Sequence, residues 1–281
     1  MLLSDASLKP AVAAETEEPS ATTVLVLALA FFAALSIYFA VVEGPGRLHH
    51  DMSEAFAWGR EYQLGYHQHP PFWAWICGAW FTVFPHEIWA FGILSALNAT
   101  LGLYGAWLLI GDFASGRKRL TATALLLLMP SYTYLAFKYN ANIILISLWP
   151  LTLHAFMRAI DSGLARGAAA FGLLAGLALM SKYYSVILIV TCAIAALAHP
   201  RRDSYLRSAS PFISAAVAAL MALRMRVPFI EPERSMTIER LTGAAVAWAP
   251  PSAALTSSMR NVSPVPVRAS LALPVKSMSG V

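Results

Sequence analysis

The chain has 281 residues, of which 58% are hydrophobic and 12% charged, with a formal net charge of +5. That charge fraction is about half that of an ordinary soluble domain and the apolar residues fall in long runs, which excludes a water-soluble enzyme and indicates an integral membrane protein. The surplus cations do not point to nucleic acid, because they sit in short runs between apolar segments and form no continuous basic face; a topological role accounts for them.

In chain order, residues 1–21 are polar and slightly acidic with Pro10 and Pro19, and are expected to be a disordered cytoplasmic tail. Thr22 to Val42 is an apolar run long enough to span a bilayer, without the basic start and small-residue exit of a cleaved signal. A first outer loop, 43–87, follows. Its segment Pro71 to Pro85 is short and rich in tryptophan, as expected of a helix lying along or dipping into the membrane surface. Further spans are expected at Ile88 to Ile110, Leu120 to Phe137, and Ile143 to Met157 with Pro150 inside it. The apolar run from Gly167 to Ala198 is expected to fold as a hairpin turning at Lys182, and a last span runs from Ala209 to Leu223. The predicted fold class is an all-α integral membrane bundle of about seven spans with outer-face juxtamembrane helices.

The basic residues support this layout. Arg117, Lys118 and Arg119, then Arg158 and Arg166, then Arg201, Arg202 and Arg207 fall in alternate loops, which the positive-inside tendency makes cytoplasmic. The outer loop and the turns at Lys138 and Lys182 then share the opposite face. Beyond Leu223 the apolar pattern stops abruptly and residues 224–281 read as a disordered or aberrant tail, which suggests truncation or a shifted reading frame. Asn261-Val262-Ser263 fits the glycosylation pattern but carries little weight in a bacterial-type chain. Cys77 and Cys192 lie in apolar runs without ligand spacing and are packing residues, as are Gly102, Gly105, Gly172 and Gly176.

Chemistry-bearing residues concentrate between Leu48 and Pro71, where Asp51, Glu54 and Glu61 stand with Arg60, four histidines and three aromatics. On a helix, Asp51, Glu54 and Trp58 share one face. A carboxylate pair in a partly desolvated setting suits a general base, because burial and a like charge raise proton affinity; alternatively Asp51 caps the helix and Glu54 is solvated. Lys138 and Lys182 each end an apolar run beside tyrosines. A single lysine there is explained by snorkelling, but two on the face that holds the acids suggest a lipid-phosphate site. His49, His50, His67 and His69 with the acids leave a divalent cation open, although no helical ligand motif supports it.

The run Glu54-Ala55-x-x-Trp58, then Gly65-Tyr66-x-x-His69-Pro70-Pro71, then Phe137-Lys138-Tyr139-Asn140 and Leu179-Met180-Ser181-Lys182-Tyr183, resembles the bacterial membrane glycosyltransferases of family 39. These are relatives of the protein O-mannosyltransferases, the lipid A aminoarabinose transferases and the lipopolysaccharide galacturonosyltransferases. The resemblance covers roughly residues 22–223. It implies a GT-C fold in the bacterial inner membrane and inverting transfer of a sugar from a polyprenyl-phosphate carrier to an envelope acceptor on the periplasmic side. The acceptor class is lipopolysaccharide or lipid A, another glycan, or protein. It also implies a chain about twice this length. An acid in the first outer loop would be the base, Asp51 or Glu54; the family's commoner form has adjacent Asp-Glu where this chain has Ser53-Glu54. Arg60, Tyr66, His69, Lys138, Tyr139, Asn140, Lys182 and Tyr183 are the candidates for binding substrate and carrier phosphate. No cofactor is implied with certainty. The rival readings are a transporter or flippase of lipid-linked sugars, and an inactive fragment.

Overall fold

The computed structural model describes residues 18–43 and 48–223; the expected disordered segments before residue 18 and after residue 223, Asn261 included, lie outside the described residues. Every regular element among the described residues is helical. Helix α1, Ala21–Tyr38, is capped by Ser20, whose hydroxyl accepts the Thr23 N–H at 3.1 Å, and runs on through a π-helical turn, Phe39–Glu43. Two short helices follow, α2 (His50–Gly59) and α3 (Phe72–Phe81), and then α4, Ile88–Ile110. Beyond α4 come α5 (Gly116–Leu125), α6 (Leu145–Ser162), α7 (Ala165–Leu179), α8 (Val186–Ala198), α9 (Arg202–Arg207) and α10 (Ser210–Ala222).

Two helices among the described residues are long and apolar enough to cross a membrane, Ala21–Val42 and Ile88–Ile110; the other strongly apolar helices run 10–17 residues, so seven full spans are not seen. The largest departure from the expected layout is the span at Leu120 to Phe137. There α5 stops at Leu125 and the chain continues in three short 3-10 turns to Phe137. Pro130 is the physical reason: it has no N–H to donate and forces Met129 into an extended conformation (φ −81°, ψ 129°). In the run from Gly167 to Ala198 the helix breaks between Leu179 and Val186, with Lys182 in the turn. Helix α6 carries Pro150 in its interior.

The helices pack in sequence order, α1 on α4, α4 on α6, α6 on α7 and α7 on α10, while α2 packs on α3. Close approach is set by small residues. A Cβ on Gly59 would lie 2.6 Å from the Ala74 carbonyl oxygen of α3, and one on Gly172 would lie 2.5 Å from that of Ser214 in α10, so neither position accepts a side chain without separating its helix pair. Helix α3 packs one face into the protein. Trp73, Ala74 and Cys77 are fully buried, and Trp73 meets Trp58 edge-on with ring centroids 5.7 Å apart.

Polar pins hold the loops at one end of the bundle. Asn98 of α4 donates to the Ile143 carbonyl at 2.8 Å and accepts from the Ser147 hydroxyl at 2.6 Å, which ties the segment before α6 to α4. The Phe72 N–H donates to the Met180 carbonyl at 2.9 Å, joining the start of α3 to the turn after α7. At the other end, His154 Nδ1 lies 2.8 Å from Asp112 Oδ2, and Arg158 lies 3.7 Å from the same carboxylate. Asp161 pairs with Arg201 at 3.1 Å, so each ionisable group carried by α6 has a charged partner.

Candidate functional site

Helix α2 starts at a histidine cap. The His49 Nδ1 accepts the Asp51 N–H at 3.3 Å, so Asp51 occupies the first turn with its carboxylate free to reach outward, and the reading of Asp51 as the helix cap is corrected. That carboxylate meets Asn140, whose Nδ2 donates to Asp51 Oδ2 at 2.7 Å. The Asn140 amide is fixed in turn, because its Oδ1 accepts the backbone N–H groups of Asn142 at 2.8 Å and Ile143 at 2.9 Å. Only an oxygen can accept those bonds, which leaves the NH2 facing Asp51.

One turn along α2, Glu54 is half-buried, and burial raises its proton affinity above the usual carboxylate value; the Asp51 charge adds to the rise, while His50, Lys182 and His67 oppose it. Lys182 lies in the turn after α7, outside the bundle's long helices. Burial lowers its proton affinity, and the charges of Asp51 and Glu54 work against that lowering. Its Nζ is 3.4 Å from His69 Nδ1. Burial and the neighbouring lysine together keep His69 below its ordinary value, so at neutral pH the ring is uncharged and Nδ1 can accept from the ammonium. Residues from four separated stretches, Asp51 with Glu54, then His69, Asn140 and Lys182, therefore form one cluster at one end of the bundle.

An aromatic wall backs the cluster. Trp58 stacks flat on Tyr66 (centroids 4.7 Å apart, planes 3° apart) and meets His69 edge-on at 6.2 Å. The Tyr66 hydroxyl donates to the Trp58 carbonyl at 2.6 Å and accepts the Gln63 N–H at 3.2 Å; burial pushes its pKa up to about 12. These two bonds stabilise the turn after α2, where Tyr62 adopts a left-handed backbone (φ 47°) that costs a non-glycine residue roughly 1 kcal/mol. Two buried donors border the cluster without a hydrogen-bond partner among the described residues: the indole N–H of Trp73, whose ring lies 5.8 Å from that of His69, and the Tyr183 hydroxyl next to Lys182 in the chain.

The remaining candidates are placed elsewhere. Tyr139 is fully buried and its hydroxyl donates to the Trp73 carbonyl at 2.9 Å, so it serves the packing of α3. Tyr66 is likewise committed to the turn. Arg60 is exposed, with its guanidinium over the Phe56 ring at 5.8 Å. Lys138 is exposed and borders a small cleft with His49, Met52 and Tyr134, on the flank of α2 next to the Asp51 turn. No set of three or more His, Cys, Asp or Glu side chains able to hold a metal converges among the described residues. Asn140 was read as a phosphate ligand, and its orienting contact with Asp51 carries no sequence signal, since the two are 89 positions apart.

The profile of the dolichyl-phosphate-mannose-protein mannosyltransferase family matches residues 68–226, more than half of the chain. The chain belongs to this family. Membership makes it a membrane-embedded glycosyltransferase of the GT-C type, in agreement with an all-helical chain holding two helices able to cross a bilayer. No curated protein and no solved structure matches it significantly. The family stretch contains His69, Asn140 and Lys182, whereas the two carboxylates lie just before it, so the contacts from Asp51 and Glu54 across to His69, Asn140 and Lys182 are what attach the acids to the family's portion of the chain.

Proposed function

We propose that this protein transfers a sugar from a polyprenyl-phosphate carrier to a hydroxyl of an envelope acceptor, with inversion, at the end of the bundle where Asp51, Glu54, His69 and Lys182 meet, and that this end faces the periplasm. The single observation that carries the reading is the half-buried Glu54 carboxylate, raised in proton affinity, in the field of a half-buried lysine on the opposite loop. A carrier phosphate is already a good leaving group. The protein then needs a base to take the acceptor's proton and a cation to hold the departing phosphate.

Glu54 fits the base, because its raised proton affinity brings it closer to working pH than an ordinary carboxylate. Asp51, held by Asn140, lies one turn before it, and its charge adds to that rise. Lys182, uncommitted to any carboxylate at ion-pair distance among the described residues, fits the phosphate. In one step the acceptor oxygen bonds to the anomeric carbon, its proton passes to Glu54, and the carbon–oxygen bond to the carrier breaks with its electron pair leaving on phosphate.

Membranes carrying the chain, incubated with a polyprenyl phosphate bearing a labelled sugar, are expected to move label to an envelope acceptor fraction. The same membranes with Glu54→Gln are expected not to. Equal transfer by both would refute the assignment of Glu54.

A further inference from the structure

At the end of the bundle away from the cluster, α1 and α4 part to leave an open groove of about 740 Å³. Its walls are apolar, with Leu25 and Leu29 of α1 more than half exposed and Leu101 of α4 nearly so. Its end is polar. The Arg119 guanidinium lies 3.9 Å over the Trp107 ring, donates to the Trp107 carbonyl at 3.0 Å, and is held by Glu18 at 3.0 Å, while Glu18 also accepts the Gly116 N–H at 2.9 Å. This floor uses up the charge of Arg119. Arg117 and Lys118, between Gly116 and Arg119 on the first turn of α5, are exposed, so the turn that closes on Glu18 carries three cations against one carboxylate.

Both walls belong to the two helices able to cross a bilayer, so the groove opens toward hydrocarbon. From Ala21 to Phe32 its α1 wall rises about 16 Å, close to the roughly 15 Å of one leaflet's hydrocarbon. An apolar slot of one leaflet's depth, ending in a tryptophan and surplus cations at headgroup level, has the polarity of a single phospholipid with its acyl chain inside and its head outside. We infer that this groove binds one anionic phospholipid, its acyl chain between α1 and α4 and its phosphate and headgroup charge against Arg117 and Lys118. The lipid seals the α1–α4 seam and is distinct from any carrier at the opposite end. The inference does not depend on the proposed transfer reaction.

The test is native mass spectrometry of the purified full chain, stripped of lipid in detergent and then offered equimolar phosphatidylglycerol and phosphatidylcholine. One phosphatidylglycerol per chain is expected, favoured at least about fivefold, the effect of a single cation near a membrane surface. Arg117→Gln with Lys118→Gln should bring the two lipids to parity. Ala28→Trp, which fills the groove, should reduce retention of both while circular dichroism stays at the wild-type value. Equal retention of the two lipids by the wild type, an undiminished preference in the double variant, or unchanged retention in Ala28→Trp would each overturn the inference. So would displacement of phosphatidylglycerol by inorganic phosphate, which would make the mouth a free-anion site. Crosslinking of an Ala28→Cys variant to another segment or a second copy would overturn it too, by showing a protein occupant.

Discussion

Asn140 presents its NH2 to Asp51 at 2.7 Å with no freedom to flip, because its oxygen already accepts two backbone N–H groups at the start of the segment leading into α6. One side chain thus closes a loop and aims a carboxylate.

The first prediction concerns that double duty. Asn140→Ala should lower transfer no further than Asp51→Asn does, because it acts through that carboxylate and not through the base, and should cost roughly 1–2 kcal/mol through the lost loop bonds. Asn140→Asp restores the acceptor oxygen but sets a carboxylate against Asp51, so it should regain the loop bonds without regaining full stability or rate at neutral pH. A transfer assay run beside thermal unfolding in detergent reads both.

The second prediction separates the two acids. With Glu54 as base, Glu54→Gln should cut kcat by about 10² to 10⁴, whereas Asp51→Asn should leave measurable turnover and move the acid limb of the pH–rate profile to lower pH, since the Asp51 charge helps raise Glu54. If Asp51→Asn abolishes turnover while Glu54→Gln keeps the wild-type limb, the roles are reversed.

A third follows for stability. Folding raises the proton affinity of Glu54, so between its ordinary value and the raised one the folded chain holds more protons than the unfolded chain. Stability contributed by this group is therefore present at low pH and declines as pH rises through that window. Unfolding midpoints of Glu54→Gln, measured across the same range, should lack that decline.

The fourth uses the lysine. Lys182→Met should raise KM for the carrier-linked donor and lower kcat together, because the phosphate is held more strongly as it departs. It should also let His69 titrate closer to its ordinary value, as the lysine is one of the two causes of its lowering. Histidine NMR reads the shift independently of turnover.

Tyr139 supplies the fifth, a contrast. Tyr139→Phe leaves the buried Trp73 carbonyl without its donor and should destabilise the chain by about 1–3 kcal/mol, while kcat per folded molecule stays near wild type.

What could be read from the sequence follows the physics of each signal. Length and hydropathy pick out Ala21–Val42 and Ile88–Ile110, since the apolar length of a segment is a local property. The same local reading joins Leu120 to Phe137 into one helix, because hydropathy summed along the run gives no weight to the missing N–H of Pro130. The acids and Lys182 stood out as charges beside apolar runs. Tyr66 and Tyr139 stood out equally and proved to be braces, because the carbonyls that receive their hydroxyls, on Trp58 and Trp73, are fixed by tertiary packing. Asn140 was noticed as a neighbour of Lys138, and only the folded chain shows its partner.

The hydrogen bond from the Phe72 N–H to the Met180 carbonyl has a consequence for how the protein is made. Asp51 and Glu54 leave the ribosome early, but the turn that brings Lys182 against His69 is synthesised more than a hundred residues later. Until α7 has been inserted and its end has docked on α3, the carboxylates have no cation opposite them. A chain stalled before Lys182 therefore lacks the cation that the proposed transfer requires, so insertion of α7 is the step that completes the proposed site.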